Sequence, residues 1–243
     1  MLFRSCWGGW ASTPTAVTGI DRVIDVAVAA YNGILVRRDI AGDVQLWEGW
    51  TLDGSTFREH TQCLASPCSA YEAFENPTVI GAGGRHCALH GGGAVHCWDD
   101  WPAIPDPIAS GATDLTAGGT HACAIVGGLV RCWGANNVGQ LGDGTMTTSV
   151  TPVTVLGLSD VRRIVADPLG TMTYAFVGDA RTLWHFGARM EGGDWVPIPA
   201  APVGLDDVVD VSAGYGGPCV VHSTGRVTCR GTGKLLHRVV GLP

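Results

Sequence analysis

The chain has 243 residues, of which 46% are hydrophobic and only 15% charged, with 36 glycines and 13 prolines. That mix argues for one domain of short strands and tight turns and against long helices. Fifteen basic residues against 22 acidic ones leave a formal charge of −7, and no basic run occurs, so the electrostatic footprint of a nucleic-acid binder is absent.

In chain order, Met1 is followed directly by Leu2, Phe3, Arg4, Ser5, Cys6 and Trp7, without a basic n-region or an apolar h-region. No secretory signal is therefore expected within this chain. The most apolar stretch, Val23 to Val36, is interrupted by Asp25 and Asn32 and followed by Arg37 and Arg38, which excludes a bilayer-crossing helix there. Around Leu35 and Trp47 lies a weak copy of a unit, VAAYNGILVRRDIAGDVQLWEGW, of which the opening FRSCWGGW is a fragment. One segment carries a helix signal: Ser69 to Glu72 is a capping-box pattern that runs toward Phe74 and is halted by Asn76-Pro77.

Clearer copies follow: GAGGRHCALHGGGAVHCWDDW from Gly81, AGGTHACAIVGGLVRCWGANNVGQLGDGT from Ala117, a weak one around Thr173 and Phe186, and SAGYGGPCVVHSTGRVTCRG from Ser212. The position after the second cysteine serves as an anchor. It falls at Trp7, Trp47, Trp98, Trp133, Phe186 and Arg230, in steps of 40, 51, 35, 53 and 44 residues. A period of about 45 residues is the size of one propeller blade. Pro-containing stretches such as PVTVLGL from Pro152 and PVGL from Pro202 supply a further strand, so four strands per unit are expected. The expected fold is all-β: a β-propeller of four-stranded blades, with five full repeats plus a partial one and an incomplete or fragmentary ring. As a single domain over 1–243, the repeats fall at about 1–43, 44–93, 94–128, 129–180 and 181–225, with the partial one at 226–243.

Opposed residues in an antiparallel hairpin keep a constant index sum. That rule sets Cys123 opposite Cys132 across a Gly127-Gly128 turn, Cys219 opposite Cys229 across Ser223-Thr224-Gly225, and Cys87 opposite Cys97 across Gly91-Gly92-Gly93. On the same face come Leu89 with Val95, Ile125 with Val130 and Val221 with Val227, so one apolar face per hairpin is expected. In the weak copies the corresponding pairs are Leu35 with Leu46 and Thr173 with His185. Opposed strand positions permit disulfides at all three cysteine pairs, each adding about 2–3 kcal/mol on the chain-entropy model. Cys63 and Cys68 in CLASPC could close a small loop, and Cys6 is left over. Reduced core thiols are the alternative. Zinc is disfavoured, because hairpin pairs in separate blades do not converge on a tetrahedron. If the bridges form, the protein occupies an oxidising compartment, extracellular or at the cell surface.

GANNVGQLGDGT, Gly134 to Thr145, together with the preceding RCWG and with HACAI from His121, resembles the repeat of the regulator of chromosome condensation family. The match is full from about Leu115 to Leu158 and degraded elsewhere, and the cysteine-bearing hairpins are similar to the bacterial form of the repeat. The resemblance implies a propeller, typically seven-bladed, whose rim loops hold protein partners. It also implies that His86 and His121 tie down backbone near the central tunnel. The founding activity of the family implies an alternative, guanine-nucleotide exchange on a small GTPase.

No Ser/His/Asp set, carboxylate pair or phosphate-binding glycine loop stands in a supporting context, so no catalysis, cofactor or metal is expected. Asp143 resembles a fragment of a calcium loop but lacks further carboxylates, which favours a turn role. Trp10, Trp50 and Trp101 each fall three residues after their anchor, where the best copy has Asn136. They are the candidate partner-binding residues, with packing between blades as the alternative.

Overall fold

The computed structural model describes residues 5–8, 11–16, 23–28, 34–40, 43–49, 58–59, 79–82, 86–98, 108–179, 182–191, 194–205, 207–214, 217–230 and 236–238. Strands β1 (Ser5–Gly8) and β2 (Ala11–Ala16) pair with each other. A four-stranded sheet follows from β3 (Val23–Val28), β4 (Ile34–Ile40), β5 (Asp43–Gly49) and β6 (Arg58–Glu59). The next has three described strands, β7 (Val79–Ala82), β8 (His86–His90) and β9 (Ala94–Trp98). Three more four-stranded sheets complete the chain. They are β10 (Ala112–Ala117), β11 (His121–Val126), β12 (Leu129–Gly134) and β13 (Ser149–Thr154); β14 (Val161–Ala166), β15 (Met172–Val177), β16 (Thr182–Glu191) and β17 (Asp194–Pro202); and β18 (Val208–Gly214), β19 (Gly217–His222), β20 (Val227–Arg230) and β21 (Leu236–Arg238).

Within each sheet the strands are antiparallel and stand in chain order, and the first strands of successive sheets pack together: β3 on β7, β7 on β10, β10 on β14 and β14 on β18. This is the blade arrangement of a β-propeller. The cores lie between sheets. Cys87, Leu89, Val95 and Cys97 meet Ala112, Leu115, Ala122, Ala124 and Trp133, whereas Cys123, Ile125, Val130 and Cys132 meet Val161, Ile164, Ala175 and Phe186 from the next sheet. Tyr174, Phe176 and Leu183 then meet Val208, Val211 and Val220. Interior sheets are thus buried on both sides, which corrects the expectation of one apolar face per hairpin. Ala122 and Ala124 are small because the preceding sheet crowds that side.

Hairpin registers follow the cysteine pairs: Cys87↔Cys97, Cys123↔Cys132 and Cys219↔Cys229 are opposed, as are Leu89↔Val95, Ile125↔Val130 and Val221↔Val227. Gly127 and Gly128 have φ of 60° and 76°, the paired positive values that a type I′ turn demands. The two weak copies differ from expectation. Leu35 opposes Glu48, and Leu46 opposes Arg37, because β-branched Ile40 stays in the strand and the ladder closes at Ile40↔Asp43. Thr173 opposes Phe186 and Tyr174 opposes His185, one residue from the expected pairing, since the ladder closes at Val177↔Thr182.

The sequence units drawn at 94–128 and 129–180 separate β11 from β12, which one sheet holds together; a period fixes the length of a unit but not its phase. Outer strands carry prolines that cannot donate to a ladder: Pro14 in β2, Pro152 in β13, and Pro197, Pro199 and Pro202 in β17. These, with the very short β6 and β21, blunt the edges against further strand addition. Among the described residues no helix is long and apolar enough to cross a membrane. The helical segment expected from Ser69 lies outside the described residues.

Candidate binding surface

The repeat loop at 134–145 is built around a buried amide. Asn136 is fully buried. Its Nδ2 donates to Asp143 Oδ1 at 3.1 Å, to the Thr145 carbonyl at 3.1 Å and to Thr145 Oγ1 at 3.2 Å, and its Oδ1 accepts from the Leu141 N–H at 2.9 Å. Gln140, also buried, donates through Nε2 to Thr120 Oγ1 and Asn137 Oδ1, both at 3.3 Å, and accepts from the Val138 N–H. Leu141, next to Gln140, enters the core shared with Phe186 of the next sheet. Gly142 makes the fit possible: its φ is +68°, and a Cβ there would lie 2.7 Å from Phe186 Cδ2.

Asp143 closes the loop. Burial pushes its carboxyl up, but hydrogen bonds from the Thr145 backbone and hydroxyl and from Asn136 outweigh that, holding it below the usual carboxylate range. The expected turn role is what the contacts show, and among the described residues no three metal-ligating side chains gather.

His121 starts β11 and reaches across to the next sheet. Its Nδ1 donates to the Gly170 carbonyl at 3.0 Å, so its Nε2 accepts from Thr173 Oγ1 at 2.7 Å. Burial lowers its pKa to about 4, against the opposing pull of Asp167 and the Gly170 carbonyl, so the ring is neutral at pH 7. Thr120 Oγ1 donates to the same carbonyl at 3.0 Å. Asp167 shapes the receiving turn by accepting from the N–H groups of Thr171 and Met172 and from the Thr171 hydroxyl. Gln140, Thr120, His121 and Gly170 therefore form one polar clip between two blades. The family resemblance anticipated a tie to backbone at His121; its partners, about 50 residues away, leave no local signal. His86 opposes Trp98, whereas His121 opposes Gly134, so the two histidines occupy different strand phases.

Apolar side chains are exposed just after this loop, on β13 and just beyond it. Met146, Val150 and Leu156 are 53%, 76% and 60% exposed. Met146 and Leu156 line a cleft of about 260 Å³ with Gly139, Gly142, Gly144, Thr145 and Pro197. Sequence reading missed this shelf, because the alternation that buries Val155 and exposes Leu156 depends on where the strand leaves the sheet. A second cleft, about 350 Å³, has Phe176 and Val208 at its base and Arg162 and Arg163 at its rim. Its guanidiniums are engaged: Arg162 pairs with Asp160 and Asp179, and Arg163 with Asp210 at 2.6 Å.

Among the described residues three disulfides are present, Cys87–Cys97, Cys123–Cys132 and Cys219–Cys229, with Cα separations of 4.1, 4.1 and 4.0 Å. Cys6 opposes Thr15. Cys63, Cys68, Trp10, Trp50 and Trp101 lie outside the described residues. At the turn end of the β8–β9 hairpin, His90 Nε2 and His96 Nδ1 are 2.6 Å apart, and burial lowers the His90 pKa. The ring centroids are 4.7 Å apart and the planes 18° from parallel, so the rings meet through that hydrogen bond.

The family model of the regulator of chromosome condensation (RCC1) repeat matches residues 128–167, the stretch that holds the Asn136 loop. Among solved structures, yeast RCC1 (Prp20) bound to Kap60 superposes with a TM-score of 0.67 at 18% identity, over 88% of this chain and 58% of that one. Prp20p from Saccharomyces cerevisiae, described with its binding to Gsp1p and histones, gives 0.67 and 18% over 88% and 59%. Human WBSCR16 gives 0.64 and 16% over 88% and 61%. The chain thus spans about three fifths of the length of these structures. Comparison with the curated proteins finds no match. Both the resemblance read from GANNVGQLGDGT and the propeller fold are borne out.

Proposed function

We propose that this RCC1-type β-propeller is an exported or surface-displayed module that binds protein partners and catalyses no reaction. The observation that carries the reading is the exposed apolar pair Met146 and Leu156, which line one cleft beside a loop whose polar side chains are committed internally. A rigid apolar surface with its polar groups already satisfied is suited to docking and has little left for acid-base or nucleophilic work. The three disulfides favour an oxidising compartment, and RCC1 propellers of similar fold hold proteins: Kap60 in one structure, Gsp1p and histones in the description of another. Trp10, Trp50 and Trp101 extend the reading as a second set of partner contacts, on their shared position in three repeats.

A photo-crosslinking side chain placed at Met146, compared with one at Asp179 on the charged cleft, tests the shelf. The expected result is a discrete protein adduct from the Met146 position that disappears in a Leu156→Asp background of unchanged thermal stability. Equal or greater crosslinking from Asp179 would move the binding face elsewhere. Trp10→Ala/Trp50→Ala/Trp101→Ala separates the tryptophan roles: retained fold with lost adduct supports contact, whereas unfolding assigns them to packing.

A further inference from the structure

Three disulfides occupy equivalent hairpin positions, and one of them is set apart. Cys87, Cys97, Cys123 and Cys132 are at most 2% exposed and sit inside the cores between sheets. Both of these bridges also lie inside their ladders: His86↔Trp98 continues beyond the first, and Ala122↔Trp133 and His121↔Gly134 beyond the second. Cys219 and Cys229, in contrast, are only partly buried. They form the end pair of a three-pair ladder, followed only by Val220↔Thr228 and Val221↔Val227. Pro218, the neighbour of Cys219, has no N–H with which to extend that ladder. The whole of β21 rests on β20 through Thr228↔Arg238, Cys229↔His237 and Arg230↔Leu236.

Sequence separations of 10, 9 and 10 residues make the three bridges equivalent in chain entropy. What differs is the access of an attacking thiolate to sulfur, and access is a determinant of exchange rate. We propose that Cys219–Cys229 is a site of thiol–disulfide exchange, opened by an external dithiol while the other two bridges stay closed, and that opening it releases β20 and β21 from the sheet.

The step is balanced by the reductant. One thiolate of the dithiol attacks a sulfur of the bridge, the Cys219–Cys229 bond breaks and a mixed disulfide forms. The second thiol of the reductant then displaces the protein sulfur. The dithiol leaves as its own disulfide, and two electrons and two protons remain on the two cysteine thiols. Release follows from position, because the bridge clamps the ladder at its end: among the described residues no pair lies beyond it, and once it opens only Val220↔Thr228 and Val221↔Val227 hold β20 to β19.

The test uses the folded full-length chain with dithiothreitol as the dithiol, without denaturant, followed by acid quench, alkylation and peptide mapping, with amide hydrogen exchange in parallel. Cys219 and Cys229 are expected to be alkylated at least about tenfold faster than Cys87, Cys97, Cys123 and Cys132. Loss of amide protection is expected to be confined to 227–230 and 236–238. A common rate for the six bridged cysteines, earlier labelling of either buried pair, or unchanged protection in those two strands after reduction would overturn the proposal.

Discussion

In the sheet β10–β13 the central hairpin is joined covalently at Cys123 and Cys132, whereas in the neighbouring sheet β14–β17 the same position holds Tyr174 and His185, rings 6.5 Å apart and inclined by 17°. The residues around that position match pair for pair. Ala122↔Trp133 corresponds to Thr173↔Phe186, and His121↔Gly134 to Met172↔Gly187. After its third strand the first sheet forms the Asn136 loop, while the second extends β16 and β17 into a longer hairpin. The two solutions interlock: a Cβ at Gly139 in the loop would lie 2.8 Å from the Pro197 ring of the long hairpin. A blade therefore keeps its register and its close approach to the next blade, and what staples the hairpin is exchangeable.

The comparison is broken most severely at the shared contact. Phe186→Ala removes a fully buried ring from the core between the two sheets and is expected to cost about 3–5 kcal/mol in denaturant unfolding. Gly142→Ala attacks the same contact from the loop side. Left-handed strain and the clash with Phe186 and Val155 predict a loss of about 2–3 kcal/mol by the same measurement.

Acid loosens the clip instead of the core. The His121 pKa lies near 4 in the folded protein and at 6.5 ordinarily, so the unfolded chain takes up the proton first on acidification. The stabilisation is complete above about pH 6.5 and is lost progressively as the pH falls toward 4. Denaturation curves at pH 7 and pH 5 should differ by about 2 kcal/mol from this group, and His121→Gln should flatten that part of the profile.

Two substitutions sharpen the comparison. Tyr174→Cys/His185→Cys places a cysteine pair at the register position of Cys123 and Cys132. A disulfide should form in oxidised protein, for a net gain of about 1 kcal/mol after the lost ring packing, read as the shift between oxidised and reduced melting temperatures. Asp160, at φ 54°, precedes β14 where Gly111, at φ 68°, precedes β10. Asp160→Gly should stabilise by about 0.5 kcal/mol, relief of strain being partly offset by the lost exposed pair with Arg162.

The difference between the two sheets also shows what the sequence discloses. Hairpins with two cysteines around a glycine turn were legible to the residue, because covalent partner and turn chemistry independently fix one register. The Tyr174 hairpin is displaced by one residue and the Leu35 hairpin by two from the expected pairing, because apolar alternation beside a single turn glycine leaves the length of the loop open. The Asn136 loop was recognisable as a motif, but its buried hydrogen bonds were not. The pairing of His121 with Gly170 and Thr173 was invisible, since it exists only once two blades stack. The shelf of Met146 and Leu156 was equally hidden, being a consequence of where the chain leaves β13.

This hairpin position is a covalent staple in three of the described sheets and a ring pair, Tyr174 with His185, in the sheet β14–β17. The most direct test of this is non-reducing peptide mapping of the intact protein, alkylated before digestion. The prediction is linked peptides Cys87–Cys97, Cys123–Cys132 and Cys219–Cys229, each bridging one hairpin, in protein recovered from outside the cytoplasm. Six alkylated free thiols at these positions, or bridges that join different hairpins, would contradict it.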